Sequence, residues 1–79
     1  MNLTQAIAKR LKNICKERNI TQYKLHKITG VPESTISTIM NSEIKTIKIS
    51  TLFDICAGLN IEFSDFFDVN FLKIENLDD

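Results

Sequence analysis

A chain of 79 residues has room for one domain built on one core. Its 43% hydrophobic and 25% charged content is too apolar for disorder, and two glycines with one proline are too few turn formers for a many-stranded β fold, which leaves an all-α architecture. Ten bases cancel ten acids overall, yet residues 1–32 hold seven bases and one acid, so a positive first part faces an equally negative remainder.

The first helix is predicted over about residues 3–18, where Leu3, Ile7, Leu11, Ile14 and Cys15 recur at steps of three and four and Lys and Arg fill the opposite face. Asn19 suits a left-handed position after it. Thr21 then caps a second helix that carries Leu25 and Ile28 inward and stops at Gly30, where positive φ costs glycine nothing. Val31 offers an apolar anchor in the turn, and Pro32 stands at or near the first position of a third helix, about 32–41, where its missing N–H does no harm. There Ile36 and Ile39 face inward, while Glu33, Ser34, Ser37 and Thr38 face out. The period lapses from Ser42 to Lys48. Leu52, Ile55, Cys56 and Leu59 restore it in a fourth helix that Asn60 ends, and Phe63, Phe66 and Phe67 mark the core side of a short fifth. Beyond Asp68, the apolar residues Val69, Phe71, Leu72, Ile74 and Leu77 fit a helix extension and a strand equally well. Residues 1–68 therefore read as the domain and 69–79 as a short tail, a candidate for a dimer contact.

No window approaches the roughly 18 apolar residues of a membrane span, and Lys9, Arg10 and Lys12 stand where a signal peptide would carry its apolar core, so the expectation is a cytoplasmic protein. Cys15 and Cys56 lie far apart with no Cys or His at ligand spacing, which argues for two reduced thiols in apolar surroundings over a zinc site or a disulfide. With one His, no glycine-rich phosphate loop and no metal-ligand cluster, catalysis, a cofactor and a small-molecule ligand are not expected. His26 reads as a packed, neutral ring. The basic face of the first helix reads as a solvated face whose field reaches beyond it.

Between Gln22 and Asn41 the spacing is that of a helix-turn-helix: Gln opening one helix, Leu25 three residues on, Gly30 where the chain reverses, then Val31, Ile36 and Ile39 to hold the second helix at a steep angle. With the run Gly30-Val31-Pro32-Glu33-Ser34-Thr35-Ile36-Ser37 and the five-helix order, residues 5–67 resemble the Cro/cI-type (Xre) family of phage-repressor-like DNA-binding domains. The resemblance implies that the third helix enters the major groove. It further implies that Gln22 touches a phosphate or an adenine edge, that Glu33, Ser34 and Thr38 face bases, and that Asn41 holds a phosphate.

Elementary chemistry adds to this set. Thr21 and Gln22 stand at a helix N-terminus, where free N–H groups and the positive dipole end suit a phosphate oxygen. The hydroxyls of Ser34, Ser37 and Thr38 suit base edges, and the Thr38 methyl suits a thymine methyl. Lys45, Thr46 and Lys48 follow the third helix in a loop placed to add backbone contacts. The chain departs from the family pattern at three places. His26 replaces a residue that is most often Ala; Cys15 and Met40 replace a frequent Arg–Glu pair and imply an apolar contact in its place; and the third helix has no Arg, Lys, Gln or Asn before Asn41.

One helix with Ser and Thr contacts reads few base pairs, so two copies about 34 Å apart on a palindromic site are expected, as a homodimeric repressor. The rival reading is a protein-binding module that keeps the helix-turn-helix shape. Salt separates the two, since phosphate contacts weaken as it rises and apolar contacts do not.

Overall fold

The computed structural model of the chain describes residues 1–78 and places five α-helices: α1 (Leu3–Arg18), α2 (Gln22–Thr29), α3 (Glu33–Met40), α4 (Ile49–Gly58) and α5 (Phe63–Phe67). Two single 3-10 turns follow, at Asn70–Leu72 and Ile74–Asn76, and the described residues contain no strand. The final residue assigned to the tail, Asp79, lies outside the described residues.

Helix boundaries follow from the caps. α1 opens with a reciprocal pair in which Asn2 Oδ1 accepts the Gln5 N–H and Gln5 Oε1 accepts the Asn2 N–H, both at 2.9 Å. It closes on Asn19 at φ 55, which lets the Ile20 N–H return to the Cys15 carbonyl at 2.8 Å. α4 closes in the same way, with Asn60 at φ 56 and the Ile61 N–H on Cys56 O at 2.9 Å. α3 repeats the motif with a residue that carries no such signature: Ser42 takes φ 55, and the Glu43 N–H reaches Thr38 O at 3.0 Å. Pro32 caps α3 from outside it, so the helix begins at Glu33.

The core joins one face of every helix: Ile7, Leu11, Ile14 and Cys15 of α1, Leu25 of α2, Ile36, Ile39 and Met40 of α3, Leu52, Ile55 and Cys56 of α4, and Phe66 of α5. α3 packs on α1 and α2, and α2 packs on α4, so the helix-turn-helix is held from behind. Cys15 and Met40 are 5% and 4% exposed within that cluster, so the junction of α1 with the end of α3 is closed to water.

Four expectations need correction. Ile28 does not point inward; it is 38% exposed. The reason is Gly58, which brings the end of α2 so close to α4 that a Cβ there would lie 2.8 Å from Ile28 O and 2.9 Å from Thr29 Cα. Backbone-to-backbone approach leaves the Ile28 side chain at the edge of the contact. Leu3, at the start of the α1 stripe, is 39% exposed, one turn before the core begins at Ala6. Phe66 is fully buried, but Phe63 and Phe67 are half-covered, each meeting its neighbour edge-on. Lastly, two cations of the solvated face on α1 are occupied. Arg10 donates to Phe66 O at 2.8 Å and Asp65 O at 3.0 Å, and Arg18 donates to Leu59 O.

Neither of the two alternatives for the tail describes its residues 69–78, which form no strand and no extension of α5. Its first turn lies against α1 and the second packs on the first, with Leu72 in the core and Lys9 Nζ 4.6 Å from the centre of the Phe71 ring. Asp78 returns to the N-terminus, its N–H on Met1 O at 3.3 Å and its carboxylate 3.4 Å from the terminal ammonium.

Candidate nucleic-acid interface

The turn from α2 to α3 fixes the angle between them, and three side-chain bonds hold it. Thr29 Oγ1 donates to Leu25 O at 2.7 Å and accepts the Val31 N–H at 3.2 Å. His26 Nδ1 lies 2.7 Å from Val31 O; a carbonyl only accepts, so the ring proton sits on Nδ1. His26 is thus a clamp on the turn, half-buried against it. With Gly30 at φ 76 and Val31 only 4% exposed, the chain reverses with its backbone groups satisfied.

On α3, the steps of a 3.6-residue helix place Ile36, Ile39 and Met40 on the buried side and Ser34, Ser37, Thr38 and the capping Asn41 along the opposite arc, while Glu33, seven residues before Met40, is exposed at the edge of the buried side because it opens the helix. Ser34, Glu33 and Asn41 are exposed, and Ser37 and Thr38 are half-exposed. Local bonds narrow what these groups can offer. Thr38 Oγ1 donates to Ser34 O at 2.8 Å, so its proton is spent and its outward chemistry is a lone pair and a methyl group. Asn41 Nδ2 leans to Ser37 Oγ at 3.4 Å, which leaves the Asn41 carbonyl oxygen and its second N–H outward.

Thr21 caps α2 by accepting the Lys24 N–H at 3.1 Å, which leaves its own hydroxyl proton to donate outward. Gln22, the first residue of α2, is exposed one helical turn before His26, on the side of α2 that reaches the turn. Lys45, Thr46 and Lys48 are all exposed in the segment between α3 and α4, and Lys48 is the residue on which α4 starts. The structure therefore gathers Gln22 and the α3 residues on two packed helices, with the loop cations at the far end of α3.

Sequence reasoning passed over Tyr23, 57% exposed beside Gln22, with Lys27 Nζ 5.6 Å from its ring centre and the His26 ring at 6.2 Å. The signal was an aromatic followed by two lysines on the outer face of α2, a pattern suited to a sugar–phosphate strand.

The chain matches the Cro/C1-type HTH DNA-binding domain family over residues 10–71. It is also similar to a solved structure, an HTH_3 family transcriptional regulator from Vibrio cholerae, with TM-score 0.77 and 34% sequence identity over 82% of this chain. The chain spans 36% of the length of that regulator. Among curated proteins, none matches.

Proposed function

We propose that this chain, which belongs to the Cro/C1-type helix-turn-helix DNA-binding domain family, reads a specific double-stranded DNA sequence as a transcriptional repressor, working as a cytoplasmic homodimer. One observation carries the reading: Ser34, Ser37 and Thr38, with the capping Asn41, lie on the arc opposite the buried side of α3, with Glu33 exposed at its first residue, on a helix anchored by three core residues. In this reading Glu33, Ser34, Ser37 and Thr38 meet base edges, with Gln22 at the rim of the groove. Thr21, Gln22, Asn41, Lys45, Thr46 and Lys48 hold phosphates. Glu33, which only accepts, suits a cytosine amino group, and Thr38 suits an adenine or cytosine amino group or a thymine methyl.

Affinity rests on the phosphate contacts and specificity on four short side chains, so the base preference of one copy is modest. A second copy on a second half-site doubles it, and occupancy of a promoter is enough to repress. Residues 69–79 are assigned a share in the contact between copies.

Selection from random duplexes tests the reading, followed by titration of the selected site over a range of salt. A repeatedly recovered motif, and an affinity falling with a log–log slope of about −0.9 per phosphate neutralised, are expected. An enriched pool with no motif, or an affinity that holds as salt rises, would refute it in favour of a protein-binding module.

A further inference from the structure

The outward face of α2 carries chemistry that the contacts proposed above leave unused. At about 100° per residue, Tyr23 and Lys27 point away from the buried Leu25, and Gln22 and His26 lie on the flank toward the turn. The order around that arc is Gln22, His26, Tyr23, Lys27. His26 commits its ring proton to Val31 O, so the neutral ring has no donor to offer outward. Tyr23, next on the arc, does: its hydroxyl makes no hydrogen bond among the described residues, and the side chain is more than half exposed. Lys27, one turn on, keeps its ammonium 5.6 Å from the Tyr23 ring centre.

We infer that Tyr23 and Lys27 form a second phosphate seat on α2, beyond the one assigned to Thr21 and Gln22, which takes a backbone phosphate flanking the bases under α3; the inference rests on the DNA-binding reading above. Position supports it first. The leading helix of a helix-turn-helix crosses the DNA backbone while the following one lies in the groove, so the arc of α2 that continues from Gln22 runs along a strand. Charge supports it second. α2 carries Lys24 and Lys27, both exposed, and no carboxylate, so nothing on the helix competes for the ammonium groups or repels a polyanion.

The pairing of the two side chains matters as much as their charge. A phenol with only two side-chain torsions brings its O–H to a phosphate oxygen at small entropic cost, and the ring keeps the Lys27 ammonium nearby while leaving it in water. A phosphate contact carries no sequence information of its own, so the seat adds affinity and fixes register without altering the motif that is read. Register is what α3 needs most. Its outward side chains Ser34, Ser37 and Thr38 are short, and a base edge stays within their reach only while α2 is held at a set height on the strand.

The experiment compares wild type with Tyr23→Phe, which keeps the ring beside Lys27 and removes only the hydroxyl, with Lys27→Gln, and with the double variant. Anisotropy measures binding to the selected duplex over a range of salt, and circular dichroism melts confirm folding. Each single variant should bind about fivefold more weakly. Lys27→Gln should reduce the log–log salt slope by about 0.9, and Tyr23→Phe should leave it unchanged. The motif recovered by selection should be the same for all. Duplexes in which one phosphate at a time is replaced by a neutral methylphosphonate then locate the seat: one replacement outside the motif should weaken wild type and have no effect on the double variant. A loss spread evenly over all replacements, or a changed motif, overturns the inference. So do folded variants that bind as wild type does, an outcome that keeps the DNA-binding reading and leaves the patch to an acidic protein surface. If wild type binds no duplex in a salt-sensitive way, the DNA-binding reading fails and the inference falls with it.

Discussion

Replacing Gly58 by Ala should destabilise this protein, although the same change in most helices does the opposite. Gly58 ends α4, where alanine would ordinarily gain up to about 1 kcal/mol in helix propensity. Here the added Cβ would stand 2.6 Å from Thr29 Cγ2, 2.8 Å from Ile28 O and 2.9 Å from Thr29 Cα, and two of these three atoms are backbone. A rotamer change relieves only the first. The others demand that the end of α2 retreat by roughly half an ångström or more, and overpacking of this kind costs about 1–3 kcal/mol. The net expectation is a loss of about 1–2 kcal/mol, and each kcal/mol lowers the melting temperature of a domain this size by about 4–8 °C. Thermal melts and urea titrations measure it, with Ala57→Gly as the control at the adjacent exposed position, where the usual propensity loss of about 1 kcal/mol applies. Both variants should melt below wild type, whereas propensity alone gives them opposite signs. If Gly58→Ala melts above wild type, the close approach of α2 to α4 is wrong, and with it the explanation for the exposed Ile28.

Gln22→Ala and Asn41→Ala should each weaken binding to every duplex by similar factors, because phosphate contacts position without specifying; titrations on selected and scrambled duplexes check this. Glu33→Gln should raise affinity for all DNA by removing a charge that faces a polyanion, while relaxing preference at one base pair, as a repeated selection would reveal. Ser42→Gly should stabilise the fold by about 1 kcal/mol in urea titration, since a residue other than glycine at φ 55 carries the left-handed penalty. Burial pushes the Cys15 and Cys56 thiols up, with Arg18 and Arg10 pulling weakly the other way, so the folded chain keeps protons that the unfolded chain releases. Their contribution to stability is full below the ordinary thiol range and fades as pH rises through it. A Cys15→Ala/Cys56→Ala variant should accordingly show a shallower alkaline loss of stability than wild type.

What the sequence revealed, and what it withheld, divides along the range of the interactions. Asn19, Gly30 and Asn60 were legible as helix ends because their side chains tolerate the left-handed region. Ser42 does the same work without that signature and was not. The buried positions of α3 and α4 could be read from their period, since each lies on an unbroken stripe. Ile28 broke the rule because a glycine thirty positions on brings two backbones together, and periodicity in one helix carries no trace of that contact. At the candidate interface the outward face of α3 followed from spacing, whereas the roles given to Gln22, Glu33, Ser34, Thr38 and Asn41 came from the resemblance to the family. The donor state of Thr38, spent on Ser34 O, and the bond from His26 to the turn depend on side-chain rotamers that no pattern of letters encodes.

The charge imbalance of the first 32 residues divides by chemistry rather than by position. Both arginines there serve the fold: Arg18 meets the carbonyl of Leu59 at the end of α4, and Arg10 those of Asp65 and Phe66 at the end of α5. Helix ends leave carbonyls without partners, and a planar guanidinium with five donors satisfies them where an ammonium, a compact hydrated point charge, does so poorly. The lysines do the converse. Lys24 and Lys27 stand exposed on α2, and Lys45 and Lys48 in the loop after α3, each free of any carboxylate within ion-pair distance among the described residues. A solvated point charge is what a phosphate strand needs, since it trades condensed counterions for a contact without a fixed geometry. In the reading proposed above, the field that draws the domain to DNA is carried by these exposed lysines, while the two arginines hold α1 to the ends of α4 and α5.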